Sequence, residues 1–188
     1  MTIEKLQKMS IDDIKKYYEK NIEALYYDLD GEGGTILEYA VWWDCYELLI
    51  FLIDEIKADI FINDKNNETL LFLISPNGEN ALKFFNYLIN KGLDINTINN
   101  DGDNVLHFYI GSISIDCPDK KNINFLENVI DCGVNIFHKN NNGETPLELA
   151  KKSITTRCSN DNRIVKLLSC HVPKMSCLSV HNHKPTNK

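Results

Sequence analysis

The sequence repeats itself, and this period constrains the fold more than any other feature. Gly33-Gly34-Thr35-Ile36-Leu37-Glu38-Tyr39-Ala40 aligns with Asn67-Glu68-Thr69-Leu70-Leu71-Phe72-Leu73-Ile74, with Gly102-Asp103-Asn104-Val105-Leu106-His107-Phe108-Tyr109 and with Gly143-Glu144-Thr145-Pro146-Leu147-Glu148-Leu149-Ala150. The intervals from Thr35 to Thr69, Asn104 and Thr145 are 34, 35 and 41 residues. A second marker keeps the same phase: Ala58-Asp59-Ile60-Phe61, Gly92-Leu93-Asp94-Ile95-Asn96 and Gly133-Val134-Asn135-Ile136-Phe137. Self-similarity at a period of roughly 20–50 residues marks stacked repeats, in which no unit buries its apolar face alone and neighbours complete the core.

Each part of the unit has a physical reason. Thr35, Thr69 and Thr145 are placed to cap a helix through a side-chain oxygen, and Pro146 at the first helical position gives up an N–H that would have no partner. The motif therefore predicts a helix start in every unit. Gly33, Gly102 and Gly143, with Asn67 in the second unit, suit the positive φ of the preceding turn. Second helices read from Tyr46 to Ile53, Leu82 to Ile89, Phe125 to Ile130 and Ile164 to Leu168, each with a broad apolar face. Gly92 and Gly133 cap two of them at the C-terminal end. Leu147 and Leu167 read as core leucines.

Turn, short helix, longer helix and polar link in this order resemble the ankyrin repeat, with Thr145–Ala150 (TPLELA) closest to the family's T-P-L-H-x-A signature and His107 in its histidine position. The resemblance covers about residues 10–170. It implies an all-α solenoid of four repeats, about 30–62, 63–97, 98–138 and 139–170, behind an N-terminal capping helix pair at 1–29. In that pair Thr2 starts a short helix, and Ser10 with Asp13 resembles a capping box for a helix bearing Ile11, Ile14 and Tyr18. Lys15, Lys16, Glu19 and Lys20 face water in this reading. Residues 171–188 read as a flexible basic tail. Gly111–Lys121 and Ser153–Asn162 read as inserted loops, either recognition elements or plain surface insertions.

Several function classes are disfavoured. The longest apolar run, Leu48–Ile53, is far short of the roughly 20 residues that span a membrane. The first ten residues carry charges and no apolar segment, so an intracellular, cytoplasmic protein with reduced cysteines is expected. The net charge is −7, but residues 1–150 hold 12 Lys and Arg against 26 Asp and Glu, whereas residues 151–188 hold 8 against 1. An acidic body repels phosphate backbones, which disfavours nucleic acid as its ligand. The tail from Cys170 to His183 offers Cys and His ligands at a spacing that fits no standard zinc pattern. A metal- or nucleic-acid-binding factor acting through this tail is the alternative reading.

No catalytic constellation is present: there is no Ser/His/Asp order with supporting glycines, no phosphate-binding loop and no His-Glu-x-x-His. No cofactor, small-molecule substrate or metal is expected. The position of His107 in the motif predicts a hydrogen-bonding scaffold role rather than a pair with Cys117. Trp42 and Trp43 follow the short helix, where the resemblance places side chains toward the concave groove. Trp42 exposed and Trp43 partly buried is the preferred split, and packing of one or both between adjacent repeats is the alternative. Turn tips present Glu32, Lys65, Asn66, Asn100, Asp101, Asn141 and Asn142, a row mostly acidic or amide. The resemblance implies a non-enzymatic module, monomeric in isolation, that binds a partner protein through these tips and the groove. An acidic groove with an aromatic anchor suits a basic or amphipathic segment. The abundance of Asn, Ile and Lys resembles ankyrin proteins of AT-rich genomes, such as large DNA viruses, which implies host signalling or degradation factors as partners. No apolar helix follows Leu168, so the resemblance does not extend to the F-box-like ends of poxvirus ankyrin proteins.

Overall fold

A computed structural model describes residues 2–31, 33–113, 118–157 and 162–171. Among them the secondary structure is helical, apart from one isolated bridge between Ile98 and Asn104. The chain opens with α1 (Ile3–Leu6), α2 (Ile11–Lys20) and a 3-10 turn at Ile22–Tyr26. Ser10 Oγ accepts from the Asp13 N–H at 3.2 Å, which starts α2 as its sequence predicts. Ile14 and Tyr18 are buried, but Ile11 is exposed and Lys15 does not simply face water. Its ammonium pairs with Glu47 and lies 5.6 Å from the centre of the Phe51 ring.

Helical pairs follow: α3 (Ile36–Trp42) with α4 (Tyr46–Ile50), then α5 (Ala81–Asn90) alone, α6 (Val105–Ser112) with α7 (Lys120–Asp131), and α8 (Pro146–Arg157) with α9 (Arg163–His171). Within a pair the two helices touch, and across pairs α6 packs on α8, α5 on α7 and α7 on α9. This is a two-layer stack. Its centre is the fully buried trio Phe85, Tyr109 and Phe125, with Tyr109 and Phe125 edge to face at 4.9 Å. The Tyr109 hydroxyl donates to the Leu71 carbonyl, and burial raises its pKa well above the usual phenol value. One residue of the third unit thereby ties down the turn of the second. Leu147 and Leu167 are only half-buried, at the edge of the core rather than within it.

The second unit lacks the first helix that the motif predicts. From Thr69 to Ile74 the backbone makes single turns, with N–H groups of Phe72, Leu73 and Ile74 donating three residues back at 3.0, 3.3 and 3.3 Å. Pro76 supplies the reason. It has no N–H to bond the Phe72 carbonyl, its ring would clash there, and it biases Ser75 away from helical backbone. Thr69 Oγ accepts from the Leu71 N–H at 3.3 Å, within a tight turn rather than at a helix cap.

A second departure lies after α4, where Phe51–Glu55 forms a π turn closed by the Ile56 N–H on the Phe51 carbonyl at 3.2 Å. The sequence predicted one continuous helix from Tyr46 to Ile53. Both predicted insertions are also shorter than they looked, because Gly111 and Ser112 belong to α6, Lys120 and Lys121 to α7, and Ser153–Arg157 to α8. Asn67, Gly33, Gly102 and Gly143 all have positive φ, as the turn chemistry required.

Candidate functional site

The turn tips are built by one recurring residue five positions before each capping residue: Asp30, Asp64, Asn99 and Asn140. Asp64 Oδ1 accepts from the N–H groups of Asn66 and Glu68, both at 2.8 Å. Asn99 Oδ1 does the same for Asp101 and Asp103 at 3.0 and 2.9 Å, and Asn140 Oδ1 for Asn142 and Glu144 at 3.1 and 3.0 Å. Asp30 Oδ1 accepts from the Gly34 N–H at 3.1 Å. A side-chain oxygen folds each tip by mimicking a backbone turn.

Neighbouring tips are then laced together. The Asn100 N–H donates to the Asn66 carbonyl at 2.9 Å and the Asn141 N–H to the Asp101 carbonyl at 3.0 Å. The amide nitrogens of the same two asparagines donate to the Lys65 and Asn100 carbonyls at 3.1 and 2.9 Å. Asn100 and Asn141, singled out in the sequence as recognition residues, therefore spend their amides on stacking. Lys65, Asn66, Asp101 and Asn142 are exposed on the same edge, while Glu32 lies outside the described residues.

Trp42 ends α3 with half of its surface exposed (50%), and Trp43 is half-buried against the hydrophobic core. Tyr39 holds both rings, meeting Trp42 edge-on at 5.0 Å and Trp43 at 5.3 Å. Its hydroxyl donates to Asp30 Oδ2 at 2.8 Å, and desolvation together with this carboxylate pushes its pKa up to about 12. Beside Trp42 a groove of about 300 Å³ runs between α3 and the turn that replaces the second unit's first helix. Leu73 gives it apolar surface, and Asp30, Glu38, Asp64 and Glu68 line it with carboxylates. Burial raises the pKa of Glu38 against the lowering pull of its bonds to Thr35, and Asp64 and Asp30 raise it further. Glu68 is raised likewise, by burial first and then by Asp64, Asp101 and Asp103, while its bond from Asn99 lowers it.

No protein-family model and no curated protein matches the sequence. Among solved structures, the chain is similar to the crystal structure of an ankyrin repeat domain from Acinetobacter baumannii, with a TM-score of 0.60 and 20% identity. The match covers 75% of this chain and 66% of that one. The chain has the ankyrin-repeat fold.

In that fold His107 is a scaffold residue, only 1% exposed. Its Nε2 donates to the Glu144 carbonyl at 2.9 Å, and its backbone N–H donates to Asn104 Oδ1 at 3.2 Å. Burial, the largest influence, lowers its pKa. Cys117 and the Cys/His tail from residue 172 lie outside the described residues, while Cys45, Cys132 and Cys170 are free thiols. Among the described residues no group of three or more His, Cys, Asp or Glu is placed to hold a metal ion. No helix there is long and apolar enough to cross a membrane.

One latch beside the site escaped sequence reasoning. Asp44 sits in left-handed backbone, φ 53°, and its carboxylate accepts from the Glu79 and Asn80 N–H groups at 2.8 and 3.2 Å, latching the first ankyrin unit to the second. Nothing in its local sequence announces this. The acidic character of the groove was read from the tips, and the period also exposes two of its carboxylates, because Asp30 and Asp64 stand at the same offset as Asn99 and Asn140.

Proposed function

We propose that this chain is a non-enzymatic interaction module that binds a partner protein through its concave groove and turn tips, with Trp42 as the central anchor. The observation that carries the reading is the half-exposed Trp42, held by Tyr39 at the mouth of a groove. Large aromatics immobilised before binding are typical hot spots, because little conformational entropy is lost when they are covered. Lys65, Asn66, Asp101 and Asn142 form the polar rim, and Asn100 and Asn141 keep it in register. Trp43 packs on Tyr39, the residue that holds Trp42.

Trp42→Ala tests this directly. Retained stability with partner binding weakened by about 2 kcal/mol, roughly thirtyfold, is the expected result. Partners are found by co-purification and mass spectrometry, and their affinities for the two proteins are then compared. In a Trp43→Phe background, acrylamide should quench Trp42 efficiently. Poor quenching, or partner binding indifferent to Trp42→Ala, rules the anchor out.

A further inference from the structure

We infer that the groove beside Trp42 receives a basic segment of the partner, with an Arg or Lys side chain laid against the Trp42 ring and its charge among Asp30, Glu38, Asp64 and Glu68. This rests on the interaction-module reading above and names the chemistry of its partner. The recess exists because Pro76 prevents the second unit's first helix, so Leu73 lies at its wall where a helix would otherwise stand. Aromatic and aliphatic surface is thereby accessible next to four carboxylates drawn from three separate segments of chain. Among the described residues, Lys65 is the sole cationic side chain along the wall.

The carboxylates are fixed before any ligand arrives. Glu38 is held by the Thr35 N–H, Asp64 by the N–H groups of Asn66 and Glu68, Glu68 by the Asn99 amide at 2.9 Å, and Asp30 by Gly34 and the Tyr39 hydroxyl. Each ionised carboxyl has about four acceptor sites, so these bonds leave acceptors on Glu38, Asp64 and Glu68 for a guanidinium or ammonium. The four groups also repel one another across a partly desolvated space. Asp64 disfavours ionisation of both Glu38 and Glu68, and a cation between them relieves that repulsion. The Trp42 face adds cation–π attraction. Phosphate- or carboxylate-bearing partners meet like charge here and are repelled.

A random-peptide display selection against the full chain tests the inference, followed by anisotropy titration of the enriched peptides. The variants are Trp42→Ala, Glu68→Gln and Asp64→Asn. Asp64→Asn leaves the tip folded, since Asn99 and Asn140 make the same turn bonds at the equivalent positions. Enriched peptides should be rich in Arg or Lys, lose about thirtyfold affinity to Trp42→Ala and about tenfold to Asp64→Asn with Glu68→Gln, and weaken in high salt. Neutral or acidic peptides that need Trp42 but ignore the carboxyl changes overturn the basic partner and leave the module standing. Peptides indifferent to Trp42, or no enrichment at all, overturn both. Residues 172–188 carry Lys174, Lys184 and Lys188 and no acidic residue. If changing these three to Gln increases acrylamide quenching of Trp42, the occupant is the chain's own terminus and the foreign segment is overturned.

Discussion

After α5 and α7 the chain turns through Gly92 and Gly133 at φ of 100° and 94°, whereas after α4 the same turn is made by Lys57 at 63°. At the tips, Gly102 and Gly143 stand where the second unit uses Asn67. On the inner layer, α6 and α8 stand where the second unit has only the turns of Thr69–Ile74. Among the described residues, all three non-glycines with positive φ, Asp44, Lys57 and Asn67, fall in the first two units. So do the π turn, the groove and Trp42. The later units follow the conformational preferences of their residues. The earlier ones depart from them at three positions, none of which lines the groove.

The comparison breaks most sharply in the core. Phe125 is fully buried against Tyr109 and Phe85, so Phe125→Ala should cost about 3–5 kcal/mol. Because stacked repeats couple chiefly to their neighbours, hydrogen exchange should accelerate in α5 to α9 well before α2. Trp42→Ala, on the irregular side, removes a half-exposed ring and its edge-on contact with Tyr39 and should cost only about 1 kcal/mol. Equal losses from the two changes would mean that the regular stack and the groove are one cooperative core.

Much of the regular region was legible in the sequence. Gly102, Gly133, Gly143 and the Thr145–Ala150 motif each favour one backbone geometry, and their recurrence made the phase unambiguous. The irregular region was harder to read, because the same apolar letters fit a helix or a turn. Leu70 to Ile74 look like the start of a helix until Pro76 is weighed against the motif. Asp44 was invisible because its partners, Glu79 and Asn80, lie in the next unit and depend on how the two stack. The Trp42 and Trp43 split followed from the register of the resemblance, whereas the recess beside Trp42 required knowing that a helix was absent.

A smaller effect separates the halves by pH. His107 bridges the third and fourth units, with Asp103, Glu144 and His138 around it. Removing its ring with His107→Ala bares the Glu144 carbonyl and should cost about 1–3 kcal/mol. Burial holds the folded-state pKa below the ordinary value of about 6.5. Above that value the ring is neutral in both states and its contribution is fully present. Below it the unfolded chain takes up a proton that the folded chain resists, so stability falls with pH until the folded pKa is reached. Chemical denaturation between about pH 7 and 5.5 should show this slope in the wild type and lose it in His107→Gln. Fraying should begin at α8 and α9. A slope unchanged by His107→Gln would assign the titration to other groups.

The smallest expected effects test whether the irregular turns are tolerated or needed. Lys57 takes left-handed backbone where Gly92 and Gly133 do so without a Cβ, so Lys57→Gly should raise stability by about 1 kcal/mol. Its side chain is exposed and packs nothing in the core. Asn67→Gly should gain much less, within about 0.5 kcal/mol of zero. Asn tolerates this backbone better than Lys, and the amide of Asn67 donates to the Ile98 carbonyl at 2.8 Å while its oxygen accepts from Asn63. Thermal melts of the two single variants and the double variant suffice. If Lys57→Gly stabilises the chain and leaves groove binding intact, that strain is incidental to recognition. If it stabilises the chain and weakens binding at the same time, the π turn and the left-handed Lys57 help to set the position of α3, and the irregular half is shaped for its ligand at the expense of its own stability.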